Sequence, residues 1–406
     1  MDALTTPSNW QRVRLGDVAE IIGGGTPSTQ VTSFWNGSIN WFTPTEIGIT
    51  KYVYKSQRTI TPLGLKKSSA KLLPIGTILL TSRASIGDCA ILKVVATTNQ
   101  GFQSLIPLEK INNEFLYYLM LTLKNKLLKL ASGSTFLEVS PNKIKNLLIP
   151  LPPLNEQIAI ANILSDVDRY LCSLDALILK KESVKKALSF ELLSQRKRLK
   201  GFNQNWQKVR LGDIGITISG LVGKTKQDFI NVNAKYITFL NVLNNFIIDT
   251  SILENVKIYP NEKQNSFKKY DLFFNTSSET PKEVGMCAVL LDDIDQVFLN
   301  SFCFGFRIFD KAVDGLFLSY LINSEIGRKA FENLAQGSTR YNLSKSGFNN
   351  VCLFLPPLNE QIAIANILSD LDSEIISLKN KKRQFENIKK ALNHDLMSAK
   401  IRVLNK

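Results

Sequence analysis

The side chains that most often perform covalent chemistry are scarce in this chain of 406 residues. It has a single histidine, His394, which leaves almost no room for a serine or cysteine nucleophile with a histidine base, or for a histidine-ligated metal ion. No glutamate is followed two positions later by a lysine, as an Asp…Glu-x-Lys nuclease site requires. The sequence therefore predicts no catalytic residue and no metal site.

Two glycine-rich segments approach the motifs of nucleotide-binding loops without matching them. "GGGTPS" (23–28) lacks the third glycine of a dinucleotide fingerprint, and "GLVGKT" (220–225) would need a glycine in place of Ile218 to be a phosphate loop. No "NPPY"-like tetrapeptide of the amino-methyltransferase kind is present, and the two "LPP" segments have no aromatic residue behind them to stack on a flipped base. We therefore expect neither nucleotide binding nor methyl transfer by this chain itself.

Polar and basic loops remain, and their side chains are of the types that contact DNA. Arg and Lys bind guanine edges or phosphates, Asn and Gln suit adenine, and Ser and Thr hydroxyls hold phosphates. Any one of these residues alone is more often a solvated loop residue. The candidate DNA-binding residues are Thr26, Ser28, Lys66, Lys67, Arg83, Gln100, Ser134, Thr135, Lys224, Thr225, Lys226, Ser277, Ser278, Lys282, Ser338, Arg340 and Tyr341.

The charge of the chain favours the same kind of partner. The formal net charge is +15; residues 1–150 carry 16 basic and 8 acidic side chains, whereas residues 201–354 carry 16 and 15. An excess of this size suits nucleic acid. The alternative, a basic protein with no particular partner, stays open on charge alone.

The elements that must position these loops occur twice. "LPPLNEQIAIANILSDVD" (151–168) returns as "LPPLNEQIAIANILSDLD" (355–372), with seventeen of eighteen residues identical at an offset of 204. Shorter matches, such as "WQRVRLGDVAEI" (10–21) with "WQKVRLGDIGIT" (206–217), indicate that the whole unit is duplicated. The stretches between these matches share short β-rich runs followed by a helical segment, but little sequence.

The repeated segments predict two long helices. From Ile160 to Leu192 and from Ile364 to Leu396, seam residues recur in steps of four and three, a 3.5-residue period typical of a coiled coil. A helix of about 40 residues, about 60 Å long, needs a partner, and the obvious partner is the other copy lying antiparallel. Lysines enter the seam at positions 181, 185, 382 and 389, where we expect them to weaken packing, tune register or stay partly solvated.

We therefore predict an α+β fold with two globular α/β domains in a pseudo-two-fold arrangement, separated by two long antiparallel α-helices that form a coiled coil. The predicted segments are 1–150 for the first domain, 151–202 for the central helix, 203–355 for the second domain and 356–406 for the C-terminal helix.

The remaining features favour the cytoplasm. Five cysteines, an odd number without a C-x-x-C pair, are typical of buried thiols in a reducing compartment. No apolar run is long enough to cross a membrane, and the N-terminal stretch lacks the layout of a secretion signal. We expect no membrane association.

Taken together, these motifs resemble the specificity subunits of Type I restriction–modification systems. The resemblance rests on "WQRVRLGDVAEIIGGGTPS", "TSRASIGDCAI", "TNQGF", "ASGST" and "IPLPPLNEQIAIANIL", followed by "WQKVRLGDI", "GMCAVL", "QGSTRYNLS" and "LFLPPLNEQIAIANILSDLD". It covers essentially the full length. It departs from the pattern in the second half, where "ISGLVGKTK" replaces the "GGTPS" loop and "NTSSETPKEVG" lengthens the "SRASIG" turn.

The resemblance implies a subunit without catalytic residues, whose two domains are target recognition domains. Each would read one half of a bipartite, asymmetric site in double-stranded DNA, and the paired helices would fix the spacer between the halves. The subunit would recruit two modification (methyltransferase) subunits and two restriction (translocase/endonuclease) subunits. S-adenosylmethionine, ATP and Mg would be bound by those partners, with no cofactor in this chain.

Two alternatives come from other classes of protein. One is a stand-alone sequence-specific DNA-binding or regulatory protein, which would need no docking surface repeated on both helices. The other is an intact methyltransferase–nuclease fusion, which the missing motifs oppose.

Overall fold

The computed structural model describes residues 7–133, 137–230, 232–332, 334, 337 and 340–403. The chain divides into two compact units: unit 1 is Met1–Asp175 with Asn380–Lys406, and unit 2 is Ala176–Lys379. Each unit therefore combines an α/β body with a part of each long helix. No helix in the described residues is long and apolar enough to cross a membrane.

The body of unit 1 consists of short strands and helices that precede the first long helix. Its strands are β1 (Gln11–Arg14), β2 (Ala19–Gly23), β3 (Trp35–Phe42), β4 (Tyr52–Val53), β5 (Arg58–Ile60), β6 (Ile78–Leu80), β7 (Cys89–Leu92), β8 (Ala96–Thr98), β9 (Gln103–Pro107) and β10 (Leu148–Leu151). Its helices are α1 (Pro62–Lys66), α2 (Asn113–Thr122), α3 (Lys124–Leu130), α4 (Pro141–Lys145) and the long α5 (Leu154–Leu193), which continues into unit 2.

The body of unit 2 repeats this order with local changes. Its strands are β11 (Gln207–Arg210), β12 (Gly215–Ser219), β13 (Ala234–Ile237), β14 (Glu254–Val256), β15 (Leu272–Asn275), β16 (Ser277–Ser278), β17 (Cys287–Val289), β18 (Val297–Leu299), β19 (Cys303–Ile308), β20 (Tyr341–Asn342) and β21 (Cys352–Leu355). Its helices are α6 (Leu211–Ile214), α7 (Phe239–Asn244), α8 (Gly315–Asn323), α9 (Glu325–Glu332), α10 (Lys345–Asn349) and the long α11 (Leu358–Met397), which continues into unit 1.

The two bodies share their sheet topology. Unit 1 has a five-stranded sheet in the order β2-β9-β6-β7-β4 and unit 2 a four-stranded sheet in the order β12-β19-β15-β17. Each also has a three-stranded sheet, β5-β3-β8 or β14-β13-β18, whose central strand pairs antiparallel with the first neighbour and parallel with the second. The predicted α+β class is confirmed.

The core of each unit takes in the beginning of one long helix and the end of the other. In unit 1, Leu164 of α5 and Leu396 of α11 belong to one buried cluster. In unit 2, Leu368 of α11 and Leu192 of α5 do the same. The helix ends are therefore core elements as well as partners of each other, which offsets the entropic cost of ordering two helices of 40 residues.

Buried glutamines fix the start of each long helix to the body that precedes it. The Gln157 side chain accepts a hydrogen bond from the backbone N–H of Asn112, the residue that caps α2, at 2.8 Å and donates to the Pro152 carbonyl at 2.9 Å. Gln361 makes the equivalent bonds to Asp314, the cap of α8, at 2.9 Å and to Pro356 at 2.7 Å. These contacts explain why both copies of the repeat have a glutamine here.

The predicted seam is confirmed within each unit, because all ten seam positions of each helix are buried or half-buried. Each seam lysine binds a carboxylate of the facing helix, which neutralises its charge, and its side chain stays 16–30% exposed, so the expected partial solvation is confirmed. The partners run in opposite order along the two helices, which makes the pair antiparallel. The pairs are Lys382 with Asp175 and Lys389 with Asp168 in unit 1, and Lys181 with Glu374 and Lys185 with Asp372 in unit 2.

The compact units divide inside the long helices, after Asp175 and after Lys379, because each core includes parts of both helices. The segmentation into 1–150, 151–202, 203–355 and 356–406 follows the repeat instead and stays a prediction.

Candidate nucleic-acid interface

Four loops of unit 1 meet at one edge of the large sheet, where β2 and β6 end and the antiparallel β9 begins. The Gly25 N–H donates to the Thr98 carbonyl at 2.8 Å, joining loop 24–30 to loop 98–102. The Ser82 N–H donates to the Gly101 carbonyl at 2.8 Å, and the Ser82 carbonyl accepts from Val139 N–H at 3.1 Å. These bonds connect loop 81–88 and the described residues of loop 132–138, through Val139 at its end, to the same junction.

Two tryptophan side chains hold loop 24–30 in place through hydrogen bonds. The Trp35 indole N–H donates to the Ser28 carbonyl at 3.0 Å, and the Trp41 indole N–H donates to the Gly25 carbonyl at 2.9 Å. The two rings meet edge to face with their centroids 5.0 Å apart. Loop 24–30 is therefore supported by buried, satisfied aromatic side chains.

The same junction is built in unit 2. The Leu221 N–H donates to the Leu299 carbonyl at 2.8 Å, as Gly25 does to Thr98. The Thr276 N–H donates to the Phe302 carbonyl at 2.9 Å, and the Thr276 carbonyl accepts from Leu343 N–H at 2.8 Å, as at Ser82. Loops 220–226, 275–285 and 299–303, with the described residues 340–343, are thus the counterparts of the four loops in unit 1.

A glycine is required at the closest approach in both junctions. A Cβ on Gly24 would lie 1.9 Å from the Asn99 carbonyl oxygen, and one on Gly220 would lie 2.3 Å from the Asn300 carbonyl oxygen. Both distances are far inside van der Waals contact. The glycine loops noted in the sequence therefore serve close packing of backbone against backbone.

Two unit 1 candidates of these loops, Ser28 and Gln100, are exposed, and the side chains of Thr26 and Gln100 contact each other across the junction. Arg83 is 41% exposed and forms an ion pair with Glu138 at 2.8 Å, between loops 81–88 and 132–138. The predicted Ser134 and Thr135 lie outside the described residues. The exposed candidates are Ser28, Lys66, Lys67 and Gln100.

The unit 2 candidates divide into exposed and buried groups. The Arg340 guanidinium Nε donates to the Ser277 hydroxyl at 3.2 Å, and Tyr341 is half-buried. Ser338 lies outside the described residues. The exposed candidates are Thr225, Lys226, Lys282 and Arg340.

Three of the predicted DNA-binding residues in unit 2 are largely buried and bind other groups of this chain. Lys224 is 6% exposed, and its ammonium group binds the Glu262 carboxylate at 2.5 Å. Ser277 and Ser278 are buried strand residues, and the Ser278 hydroxyl donates to Glu283 at 2.8 Å. These residues shape the loops, whereas DNA contact by any of the seventeen candidates stays a prediction.

Two exposed side chains at the junction were not among the predicted residues. Phe302 is 55% exposed, with the Arg340 guanidinium 5.8 Å from its ring centre. Arg58 is exposed on β5, with its guanidinium 3.8 Å from the Trp35 ring centre. No sequence motif marks an arginine inside a short strand.

The exposed polar groups of this interface are hydroxyl, amide and cationic side chains. Among the described residues, no group of three or more His, Cys, Asp or Glu side chains could hold a metal ion. Burial raises the pKa of the Cys89 thiol to about 12, so this cysteine is a protonated packing residue at neutral pH. Proteins contact DNA through exposed hydroxyl, amide and cationic groups of this kind, and here the loops that display them are held in place by backbone hydrogen bonds.

Comparison with known proteins points to the same class. The family model described as "Type I restriction modification DNA specificity domain" matches residues 7–181 and again residues 203–387. The specificity subunit of the type I restriction enzyme MjaIX from Methanocaldococcus jannaschii is 30% identical over 298 residues, which is 68% of this chain and 68% of that protein. The MjaVIII specificity subunit of the same organism is 28% identical over 425 residues, covering 100% of this chain and 96% of that protein.

A solved structure shows the same fold. The crystal structure of the Type I restriction–modification S subunit from M. genitalium matches with a TM-score of 0.59 and 17% identity, covering 97% of each chain. With two family matches that together span most of its length, the chain belongs to the Type I restriction–modification DNA specificity family. Its role is that of a DNA sequence-specificity subunit.

Proposed function

We propose that this chain is the non-catalytic recognition subunit of a restriction–modification complex, and that unit 1 and unit 2 each read one half of a bipartite, asymmetric site in double-stranded DNA. The observation that carries the proposal is the loop junction that occurs in both units. Its backbone bonds are the same in both, whereas the exposed side chains differ, Gln100 and Ser28 in one and Lys226 and Phe302 in the other. One scaffold with two sets of side chains suits two different half-sites.

The long helices would set the spacer between the half-sites. Both are 40 residues long and both continue from one unit into the other. A continuous helix with a buried seam is a stiff element, so its length constrains the separation of whatever is attached to it.

The helices also offer a repeated surface to partners. Burial explains why Ile160 and Leu164 recur as Ile364 and Leu368, but it does not explain the recurrence of Ile158, which is 42% exposed, as Ile362, which is 39% exposed. Identical exposed residues in an otherwise diverged duplication suit two copies of the same protein. In this proposal two modification subunits dock there, and two restriction subunits join through them.

The catalytic cofactors would belong to those partners. S-adenosylmethionine would be bound by the modification subunits, and ATP and Mg by the restriction subunits. The five cysteines of this chain are free thiols, two of them exposed, which is the state that a reducing cytoplasm maintains.

A methylation assay tests the recognition role. The purified chain alone should transfer no methyl groups to DNA, and addition of the modification subunit encoded by the same host should give adenine methylation at one bipartite motif. Methylation by the chain alone would overturn the non-catalytic role. Sequence-specific binding by a chain that recruits no modification subunit would instead favour a stand-alone regulator.

A matched deletion tests the spacer role. Removal of residues 173–179 and 377–383 takes seven residues, one heptad, from each helix at equivalent positions and keeps the seam in register. Seven residues correspond to about 10 Å, or about 3 base pairs of B-DNA. The methylated motif should keep both half-sites and lose about three base pairs of spacer, whereas altered half-site bases would contradict the proposal.

A further inference from the structure

Arg58 and Glu254 occupy equivalent positions in the two units and carry opposite charges. Strand β5 pairs with β3 so that Arg58 lies opposite Trp41, and β14 pairs with β13 so that Glu254 lies opposite Tyr236. The central strands β3 and β13 are themselves counterparts, each with a parallel neighbour on the other side. The two residues are 196 positions apart, the offset of the matching "WQ" segments.

Both side chains are exposed and yet held in place by an aromatic partner. The Arg58 guanidinium lies 3.8 Å from the Trp35 ring centre and 5.4 Å from that of Trp41, and no carboxylate in the described residues forms an ion pair with it. Glu254 accepts a hydrogen bond from the Tyr236 hydroxyl at 2.8 Å. A stacked guanidinium keeps its N–H donors free at the edge of its plane, so Arg58 is pre-organised for an external acceptor.

The aromatic partners are also the supports of the candidate interface. Trp35 and Trp41 donate to the carbonyls of loop 24–30, which places Arg58 beside that loop. In unit 2, Tyr236 lines a cleft of 440 Å³ together with Thr225, Lys226 and Phe302, residues of the corresponding loops. Arg58 and Glu254 therefore lie at the same place relative to their recognition loops.

The opposite charges of Arg58 and Glu254 indicate whether this position would contact DNA phosphates or DNA bases. A position that faced the phosphate backbone in both units would be repelled by DNA wherever it carried a glutamate. Base edges accommodate both charges, because guanine presents the acceptors N7 and O6 whereas cytosine presents its N4 amino donor. A position with arginine in one unit and glutamate in the other therefore fits the edges of bases.

We propose that Arg58 and Glu254 are specificity-determining residues, with Arg58 reading a guanine in the half-site of unit 1 and Glu254 reading a cytosine in the half-site of unit 2. This assignment rests on the proposed function, in which each unit reads one half-site. In addition to the candidate residues in the loops, each unit then has one base-contacting residue on the edge strand of its three-stranded sheet.

The test maps the methylated motif of variants. The full chain is co-expressed with the modification subunit of its own host in a strain free of adenine methylation, and long-read sequencing identifies the methylated motif. Arg58→Ala should lower discrimination at one guanine of one half-site from about tenfold or more to about twofold or less, leaving the other half-site unchanged. Arg58→Gln should shift the same position toward adenine, which an amide reads.

Glu254→Gln supplies the second, independent measurement, and Arg12→Ala the matched control. Glu254→Gln should change one cytosine position in the other half-site only. Arg12 is an exposed arginine of unit 1 on β1, which pairs with β10 in a separate two-stranded sheet, and its removal should leave the motif unchanged. Variants that methylate too little DNA for the motif to be mapped are tested by binding. For these, four unlabelled duplexes that differ only at the predicted base pair compete with a labelled duplex for binding to the purified complex. Equal competition by all four duplexes supports the proposal.

Three results would overturn the assignment. Uniformly weaker methylation with an unchanged motif for Arg58→Ala would show a phosphate contact. A change in both half-sites from one variant, or retention of the wild-type ranking among the four duplexes, would remove the residue from base reading. If the wild-type complex gives no bipartite motif, the proposed function itself fails, which is a separate outcome.

Discussion

Replacement of Arg198 by alanine should destabilise unit 2 by leaving a buried carboxylate without its ion pair. Arg198 follows α5 and binds Glu360 at the start of α11 with two bonds, Nε to Oε1 at 2.7 Å and Nη2 to Oε2 at 2.6 Å. The Glu360 side chain is 1% exposed and that of Arg198 26% exposed. Breaking a buried pair costs about 3–5 kcal/mol, and because water can reach the site of the partly exposed arginine we expect about 3 kcal/mol.

Unit 1 contains the same pair in a form that should tolerate the substitution better. Glu156 binds Arg402 at 2.8 and 3.2 Å, and it also accepts a hydrogen bond from the Trp10 indole N–H at 3.0 Å. In unit 2 the corresponding Trp206 N–H is buried without a partner in the described residues. A hydrogen bond to a charged group contributes about 1.5–3 kcal/mol, so Arg402→Ala should cost about 1.5 kcal/mol less than Arg198→Ala.

Thermal unfolding of the full chain, with hydrogen exchange to assign the transition to a unit, measures both effects. At about 2–4 °C per kcal/mol for bodies of this size, Arg198→Ala should lower the Tm of unit 2 by about 6–12 °C, and Arg402→Ala that of unit 1 by about half as much. Equal losses, or the larger loss in unit 1, would refute the reasoning.

A second substitution tests the cause. Glu360→Gln combined with Arg198→Ala removes the buried charge and should recover part of the lost stability. If the double variant is no more stable than Arg198→Ala alone, the unpaired carboxylate is not the reason for the loss.

Two further predictions concern the helix contacts and the loop junction. Burial and hydrogen bonds to carboxylates raise the pKa of Tyr118 and Tyr320 above the ordinary value of 10, so their protonated form contributes stability that is complete below about pH 10 and is lost as the pH rises. The Tm of the double Tyr→Phe variant, measured against pH, should therefore fall less steeply above pH 10 than that of the wild type; parallel curves would contradict this. Gly24→Ala places a Cβ 1.9 Å from the Asn99 carbonyl oxygen and should lower the free energy of unfolding by about 1–3 kcal/mol and weaken DNA binding, whereas Gly23→Ala, whose nearest contact is 3.6 Å, is the control that should do neither. Equal effects of the two glycine variants on the Tm and on duplex binding would show that the close approach is not what constrains the loop.

The sequence predicts those parts of the fold that follow from its internal repeat and from the 3.5-residue period of its long helices. Seventeen of eighteen identical residues at an offset of 204 revealed the duplication, and steps of four and three revealed the seam. The strand orders had no such signal, because they depend on pairings between distant short runs such as β3 with β8. The sequence predicts the seam lysines and their partial solvation but not their ion pairs, since the carboxylate opposite each one is set by the antiparallel register and cannot be read from one helix.

The candidate site was predictable as a set of loops but not residue by residue. The basic side chain of Lys224 in a glycine-rich segment predicts a DNA contact, yet Glu262, 38 positions later, binds its ammonium group. The sequence predicts Ser277 as a loop hydroxyl, whereas the structure places it in a strand. The sequence does not predict Arg58, because its exposure results from a cross-strand pairing with Trp41 and from the stacking on Trp35, which no local pattern specifies.

The bonds that build the junction explain how two such different surfaces can share one scaffold. The links between its loops are made by backbone groups, Gly25 to Thr98 in unit 1 and Leu221 to Leu299 in unit 2, and do not depend on which side chains the residues carry. Side chains add further links among the described residues: the Ser82 and Thr276 hydroxyls donate to the same carbonyl that their own N–H groups bind, and Thr26 contacts Gln100, Arg83 pairs with Glu138 and Arg340 donates to Ser277. A loop held by its backbone can exchange its exposed side chains at little cost to stability, since surface substitutions usually change it by less than about 0.5 kcal/mol. In the proposed function, new DNA specificity would therefore arise by substitution at the exposed positions while the glycines and backbone bonds of the junction stay as they are.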